Sequence, residues 1–303
     1  MPAMMPRLLV TSLLVATLAA CGGTSDNTQT STPPSSDLSS VKKDDKLAAL
    51  VPAEIASSGK LKVGSNIQNP PNNFYDQDGK TPMGSEVDLI KAIAAKLGLQ
   101  AEHSDMAFSS LITSLETKRV DVTMAAMNDT AERQQKIDFV DYFTSGITIM
   151  VQKGNPQGVK GPDDLCGKGV AVNLGSSQEQ FAKEQSQKCQ DQGKPEVQLS
   201  VTDSDTGNQN QLRTGRVAAI LNDLPTAVYV AKTAGDGSYF EVVQLPPING
   251  GPYGIGVNKQ NAKLAEAIKG ALQALIDDGT YTKILTTWDI KQGAITKAAI
   301  NGK

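Results

Sequence analysis

The sequence predicts an α/β protein of two lobes, each a mostly parallel sheet flanked by helices, and three observations carry that prediction. The chain has 303 residues, too many for one ordinary core and enough for two lobes of roughly 100 to 150 residues each. Strand-like and helix-like segments alternate along it, the pattern of a mostly parallel sheet. A short echo sets Leu115-Glu116-Thr117-Lys118-Arg119-Val120 against Leu212-Arg213-Thr214-Gly215-Arg216-Val217 and places a helix-to-strand junction in each half. Chance is the competing explanation for a repeat this short.

Taken in order, Leu61-Lys62-Val63-Gly64 reads as a strand. Ser85-Glu86-Val87-Asp88 then offers a capping box, with Leu89, Ile90, Ile93 and Leu97 at helical spacing and Gly98 as the stop. Ser109 to Lys118 is a second amphipathic stretch feeding a strand over Val120-Asp121-Val122-Thr123-Met124. Gly169-Val170-Ala171-Val172 is strand-like, and Ser176 and Glu179 have capping-box spacing for the helix after it. Lys263 to Asp278 carries Leu264, Ile268, Leu272, Leu275 and Ile276 on one face, and Tyr281 to Trp288 adds a final helix. The lone His103 reads as a surface strand residue, and Trp288 as packing for the last helix.

Composition narrows the function classes. Hydrophobic residues at 39% and charged residues at 20% describe a globular chain, neither a disordered polymer nor a polytopic membrane protein. A net charge of -3 without a Lys/Arg cluster argues against nucleic acid as a partner. With 1 His and 3 Cys most zinc sites are excluded, and neither metal nor cofactor is expected.

The N-terminus reads as an export signal. A basic start to Arg7 precedes the apolar run Leu8 to Leu18, too short to span a bilayer comfortably. It ends in Leu18-Ala19-Ala20-Cys21, which resembles a bacterial lipobox; the alternative is an ordinary signal with a coincidental Cys. Residues 1–20 would then be the signal peptide and Cys21 the acylated first residue, anchored to the outer face of the cell membrane by lipid alone. Residues 21–58 read as a flexible tether, rich in Ser and Thr at first, with the folded unit starting at 59. With Cys21 acylated, Cys166 and Cys189 remain as an even pair in an oxidising compartment, which favours a disulfide over two buried thiols.

Residues 60–290 resemble the extracellular solute-binding proteins of amino-acid ABC importers. The resemblance rests on Leu61-Lys62-Val63-Gly64, Pro70-Pro71, Asp78-Gly79-Lys80 with Glu86-Val87-Asp88-Leu89, and Asp129-Thr130-Ala131-Glu132-Arg133. Further along it rests on Ile137-Asp138-Phe139, Gly175-Ser176-Ser177-Gln178-Glu179 and Pro252-Tyr253-Gly254-Ile255. It implies a periplasmic-binding-protein-like fold with two crossover strands, near 146–150 and 245–250. Lobe one would comprise 59–146 and 250–303, and lobe two 147–249. The expected ligand is an amino acid, the partners are the importer's permease subunits, and the protein is expected to act as a monomer without catalysis. Rival classes are an exported cyclohexadienyl-type dehydratase, which shares the fold, and a sensory module.

An α-amino acid carries a carboxylate and an ammonium on one carbon, so its receptor needs a fork of donors and a nearby acceptor. Arg133 supplies a planar guanidinium for the carboxylate. The helix start at Ser176 and Ser177 supplies N–H groups, a positive dipole end and the Ser177 hydroxyl. Asp223, after the strand Val217 to Leu221, matches the aspartate that takes the ammonium in the family. Arg133 as a solvated helix residue and Asp223 as a plain N-cap are the alternatives. Ala126 and Asn128 stand where relatives often carry Ser and Thr, and Phe108 is a further lining candidate. The first ligand loop departs from the family: Asn66 replaces a frequent Asp, and Asn69-Pro70-Pro71-Asn72-Asn73-Phe74 lacks the usual aromatic before the prolines. This amide-rich loop favours a polar uncharged or acidic ligand side chain over arginine or lysine.

Overall fold

The structure, a computed structural model, describes residues 34–302; the expected signal peptide and acylated Cys21 lie outside them. Helices α1 (Asp45–Ala48) and α2 (Ala53–Ser58) lead into β1 (Lys60–Ser65). A small hairpin of β2 (Phe74–Tyr75) and β3 (Pro82–Met83) precedes α3 (Ser85–Lys96), β4 (Gln100–Asp105), α4 (Leu111–Glu116) and β5 (Val122–Thr123). The long β6 (Ile137–Gln152) is followed by β7 (Gly169–Asn173), α5 (Ser177–Asp191), β8 (Gln198–Thr202), α6 (Asp205–Arg213), β9 (Ala219–Asp223), α7 (Leu224–Thr233) and β10 (Phe240–Val242). The chain returns through β11 (Ile248–Asn258) to α8 (Ala262–Asp277), α9 (Thr280–Thr287) and β12 (Ala299–Ile300).

The strand order is β4-β1-β5-β11-β6-β9-β7-β8. β1 lies between two parallel neighbours, β4 and β5, and β7 lies likewise between β8 and β9. Two βαβαβ units of the same order, β1-α3-β4-α4-β5 and β7-α5-β8-α6-β9, thus form two lobes of the type found in periplasmic binding proteins. The antiparallel strands β6 and β11 join them. β6 pairs with β11 from Ile137 to Ile147 and with β9 from Ile147 to Met150. Each unit is covered on both faces, as parallel strands require. Leu61, Val63, Ile90, Ile268, Leu272 and Leu275 belong to one core, with Leu111, Leu115 and Phe139 on the sheet's other side. In the second lobe, Ile149, Val170, Val172 and Leu221 face α5, while Met150, Ala171, Ile220 and Phe240 face α6 and α7. Cys166 and Cys189 form a disulfide that ties the segment before β7 to α5, a closure worth about 3 kcal/mol in the chain-entropy account.

Four features differ from the sequence reading. Residues 34–58, expected to belong to the tether, pack on the first lobe. Val51 and Ile55 are buried, Leu38, Val41 and Leu47 lie against the core, and the Ser36 amide donates to Asp88 at 2.9 Å. Their apolar residues are sparse but spaced to reach one surface. Ser85 is not an N-cap: Gly84 holds that position and Ser85 is the first helical residue, its hydroxyl donating to Asn72 at 3.2 Å. The chain ends in a strand rather than a helix, because β12 pairs with Asp141 and Val140 of β6. His103 is half-buried in β4 rather than at the surface, and burial pushes its pKa down to about 4. Trp288 is buried at the end of α9, donating to Asp88 at 2.9 Å and meeting the Phe74 ring edge-on.

Candidate functional site

In open α/β sheets the carboxyl ends of the strands carry ligand groups, because helix starts and loops converge there. Here the ends of β1, β5, β7 and β9 face one another between the lobes. They line a small cavity between the lobes. Eight residues singled out from the sequence line it: Asn66, Asn69, Phe108, Ala126, Asn128, Ser176, Ser177 and Asp223.

Arg133 stands apart from that wall. It lines the adjoining groove with Asn128, Ser176 and Ser177, and its guanidinium donates to the carbonyls of Asn128 at 2.9 Å and Gly175 at 3.0 Å. It also lies over the Phe108 ring, 5.5 Å from the centroid, a cation-π arrangement. One residue thus bridges the loop after β5 and the turn before α5. Burial lowers the Arg133 pKa, while the charge of Asp223 opposes that effect.

The α5 start is built by Ser176, whose hydroxyl accepts from the Glu179 amide at 3.1 Å. The first-turn N–H groups of Ser177 and Gln178 have no partner available within the helix. The Ser177 hydroxyl donates to Asn128 Oδ1 at 2.6 Å, joining the lobes. Asp223 ends β9 and is 7% exposed, so its carboxylate is held inside the protein. Burial pushes its pKa up to about 7, against the pull of Gln178, which donates to Oδ1 at 2.9 Å, and of the Arg133 charge. The Tyr253 hydroxyl, which has no hydrogen-bond partner among the described residues, also favours the charged form. Asp223 precedes α7 but makes no side-chain cap there, leaving the carboxylate to the cavity.

Sequence reasoning missed three groups. Gln178 and Asp205 line the cavity and are both buried. Glu86, read as part of a capping box, is buried under the site loop. Its carboxylate accepts from the Ala126 amide at 2.9 Å, from Asn73 and from the Tyr142 hydroxyl. Ala126 has φ 48, a left-handed conformation that a non-glycine residue adopts at a cost. The Glu86 bond holds it there, and an antiparallel bridge from Asn128 to Tyr253 fixes the other side of the loop. Burial raises the Glu86 pKa to about 7 despite those three donors. Only a glutamate in an otherwise apolar helix face, beside Val87, Leu89 and Ile90, hinted at this.

The lobes also touch through Gln68 and Asn69. Gln68 donates to the Asp203 carbonyl at 2.9 Å and accepts from the Asp205 amide at 3.1 Å, while Thr226 donates to Asn69 at 2.5 Å. A concave site with a cation at its mouth, a carboxylate in its wall and a helix start beside both can hold a small zwitterion.

Comparison with known proteins agrees with this architecture. Residues 61–291 match the model of the bacterial extracellular solute-binding proteins, family 3. An arginine-binding protein of Corynebacterium glutamicum is 31% identical over 258 residues, 84% of this chain and 83% of its own. An L-cystine-binding protein of Escherichia coli (strain K12) is 31% identical over 236 residues, 78% and 84% of the two chains. Among solved structures, an ancestral arginine-binding protein bound to arginine is similar with a TM-score of 0.69 and 37% identity, covering 76% of this chain and 98% of that one. An ancestral amino acid-binding protein described as a precursor of cyclohexadienyl dehydratase has a TM-score of 0.69 and 32% identity, covering 78% and 97%. With the match running through both lobes and both joining strands, the chain belongs to the bacterial extracellular solute-binding proteins of family 3.

Proposed function

We propose that this protein is the amino-acid receptor of an ABC importer, closing its two lobes on the α-carboxylate and α-ammonium of the ligand. The observation that carries the reading is the buried Asp223 carboxylate in the cavity wall, with the Arg133 guanidinium in the adjoining groove and its charge felt at Asp223. The carboxylate would take the Arg133 fork, the Ser177 hydroxyl and the first-turn amides of α5. The ammonium would take Asp223, whose ionised form it favours. Ala126 would offer its carbonyl and Asn128 its amide, with Phe108, Asn66 and Asn69 completing the wall. Names of relatives as arginine-binding and L-cystine-binding proteins support an amino acid as the ligand class.

The receptor binds without turnover, works as a monomer, and delivers its ligand to permease subunits while attached to the outer face of the cell membrane through Cys21. The order of basic start, apolar run and Leu18-Ala19-Ala20-Cys21 supports that attachment. A melting-temperature screen of the common L-amino acids tests the reading. At least one should raise the melting temperature by several degrees, as a ligand at a hundred times its Kd adds about 2.7 kcal/mol, and should be recovered chemically unchanged. No shift with any of them, or conversion of the ligand, would count against it.

A further inference from the structure

The cavity holds one more charge than an α-amino acid backbone can satisfy. Asp205, the first residue of α6, lines it while only 5% exposed. Its Oδ2 accepts from Asn173 at 3.0 Å, and Asn173 is itself held by Asn208 at 2.9 Å. That chain fixes the carboxylate in one orientation. Its Oδ1 has no hydrogen-bond partner among the described residues. Gln68, from the other lobe, grips the Asp205 amide at 3.1 Å, so closure carries this carboxylate against the wall formed by Asn66 and Asn69.

The charge balance then decides what the ligand side chain must be. A zwitterion pairs its carboxylate with Arg133 and its ammonium with Asp223, leaving Asp205 buried beside neutral amides. A buried carboxylate without a counter-charge is costly, and a third carboxylate from an acidic ligand would add to that cost. Burial raises the Asp205 pKa only to about 6, so the group is mostly ionised at neutral pH. Its charge also contributes to the raised pKa of Asp223, which a second cation in the cavity would relieve.

We infer that Asp205 is the specificity-determining residue of the cavity and selects an amino acid whose side chain carries a second cationic group, a guanidinium or an ammonium. This rests on the amino-acid reading above and reverses the expectation, drawn from the amide-rich first loop, of an uncharged or acidic side chain. The amides remain useful: Asn66 donates to the Met106 carbonyl at 3.2 Å, which leaves its own carbonyl oxygen to accept from a guanidinium or ammonium.

Calorimetric titration with L-arginine, L-lysine and L-citrulline tests the assignment, because citrulline keeps the shape of arginine and lacks its charge. The unmodified protein should bind arginine or lysine at least tenfold more tightly than citrulline. Asp205→Asn should reduce that preference to within about threefold. Equal binding of arginine and citrulline by the unmodified protein would overturn the proposal without any variant. So would equal weakening of all three ligands by Asp205→Asn, which would place Asp205 on the α-ammonium instead. If neutral or acidic amino acids bind and cationic ones do not, this proposal falls and the receptor reading stands. If no amino acid binds, both fall.

Discussion

In the proposed reading Arg133 and Asp223 divide the recognition of a zwitterion between them, and each is supported differently. Arg133 donates to two carbonyls, Asn128 and Gly175, so its removal takes away an interlobe bridge as well as the proposed ligand contact. Arg133→Ala should weaken amino-acid binding tenfold to over a hundredfold, since a hydrogen bond to a charged group contributes about 1.5 to 3 kcal/mol. Arg133→Lys should not restore it, because an ammonium cannot reproduce the planar fork. Asp223→Asn should cause a loss of similar size with little harm to the unliganded fold, as it removes a carboxylate that burial already disfavours. Titration calorimetry of the three variants measures this, and binding within twofold of the unmodified protein would refute the assignment. Ser176, Ser177 and Asp223 were legible because a capping pattern and a strand end place them by local rules. Glu86, Gln178 and Asp205 were not: their burial comes from segments distant in sequence, and a carboxylate inside a protein looks on paper like one at its surface.

Among the elements, the two βαβαβ units repeat one junction in detail. Thr117 and Thr214 donate through their hydroxyls to the carbonyls of Thr113 and Asn210, both at 2.8 Å, and the Arg119 and Arg216 amides donate to the carbonyls of Ser114 and Gln211, both at 2.9 Å. The short sequence echo is therefore a structural repeat. Its one conformational conflict is Lys118, at φ 58, where the second copy has Gly215 at φ 73. A side chain in that region costs about 1 to 2 kcal/mol, partly offset because glycine loses more freedom on folding. Lys118→Gly should raise the melting temperature by about 1 to 3 °C, and Gly215→Ala should lower it; thermal denaturation that moves either the other way would count against the equivalence. The bounds of α3 and α8, which have strong periodicity, and the start of α5 were readable to within a residue or two. α1, α2 and β12 were not, because each is short and exists through packing on residues far along the chain.

At the scale of the molecule, closure gathers carboxylates whose pKa values burial has raised. Glu86 and Asp223 stand at about 7 and Asp205 at about 6. Between the ordinary carboxylate range and those values the folded chain holds protons that the unfolded chain has released. The contribution of these groups to stability therefore decreases as pH rises from about 5 to 8. Amino-acid affinity should move the opposite way, since the ligand's ammonium needs an ionised Asp223: binding should weaken as pH falls below about 7, by up to tenfold per unit for each group that must ionise. Melting curves of the unliganded protein and titrations at about pH 5.5 and 7.5 would read the two trends, and parallel trends would contradict the account. The two-lobed order was legible because length, alternation and the echo all point to it, whereas the interlobe bonds of Gln68, Asn69 and Arg133 arise only once the lobes meet.

Both charged ends of an amino acid are, on this account, held between the two lobes. The measurement that tests it most directly is a calorimetric comparison of the best-binding L-amino acid with its N-acetyl and carboxamide derivatives. The first derivative removes the partner of Asp223, and the second removes the partner of Arg133 and the α5 start. Each should bind at least a hundredfold more weakly than the parent amino acid, because each leaves a buried charge or donor set unpaired. Binding of either derivative within tenfold of the parent would show that the cavity does not recognise the two groups as described.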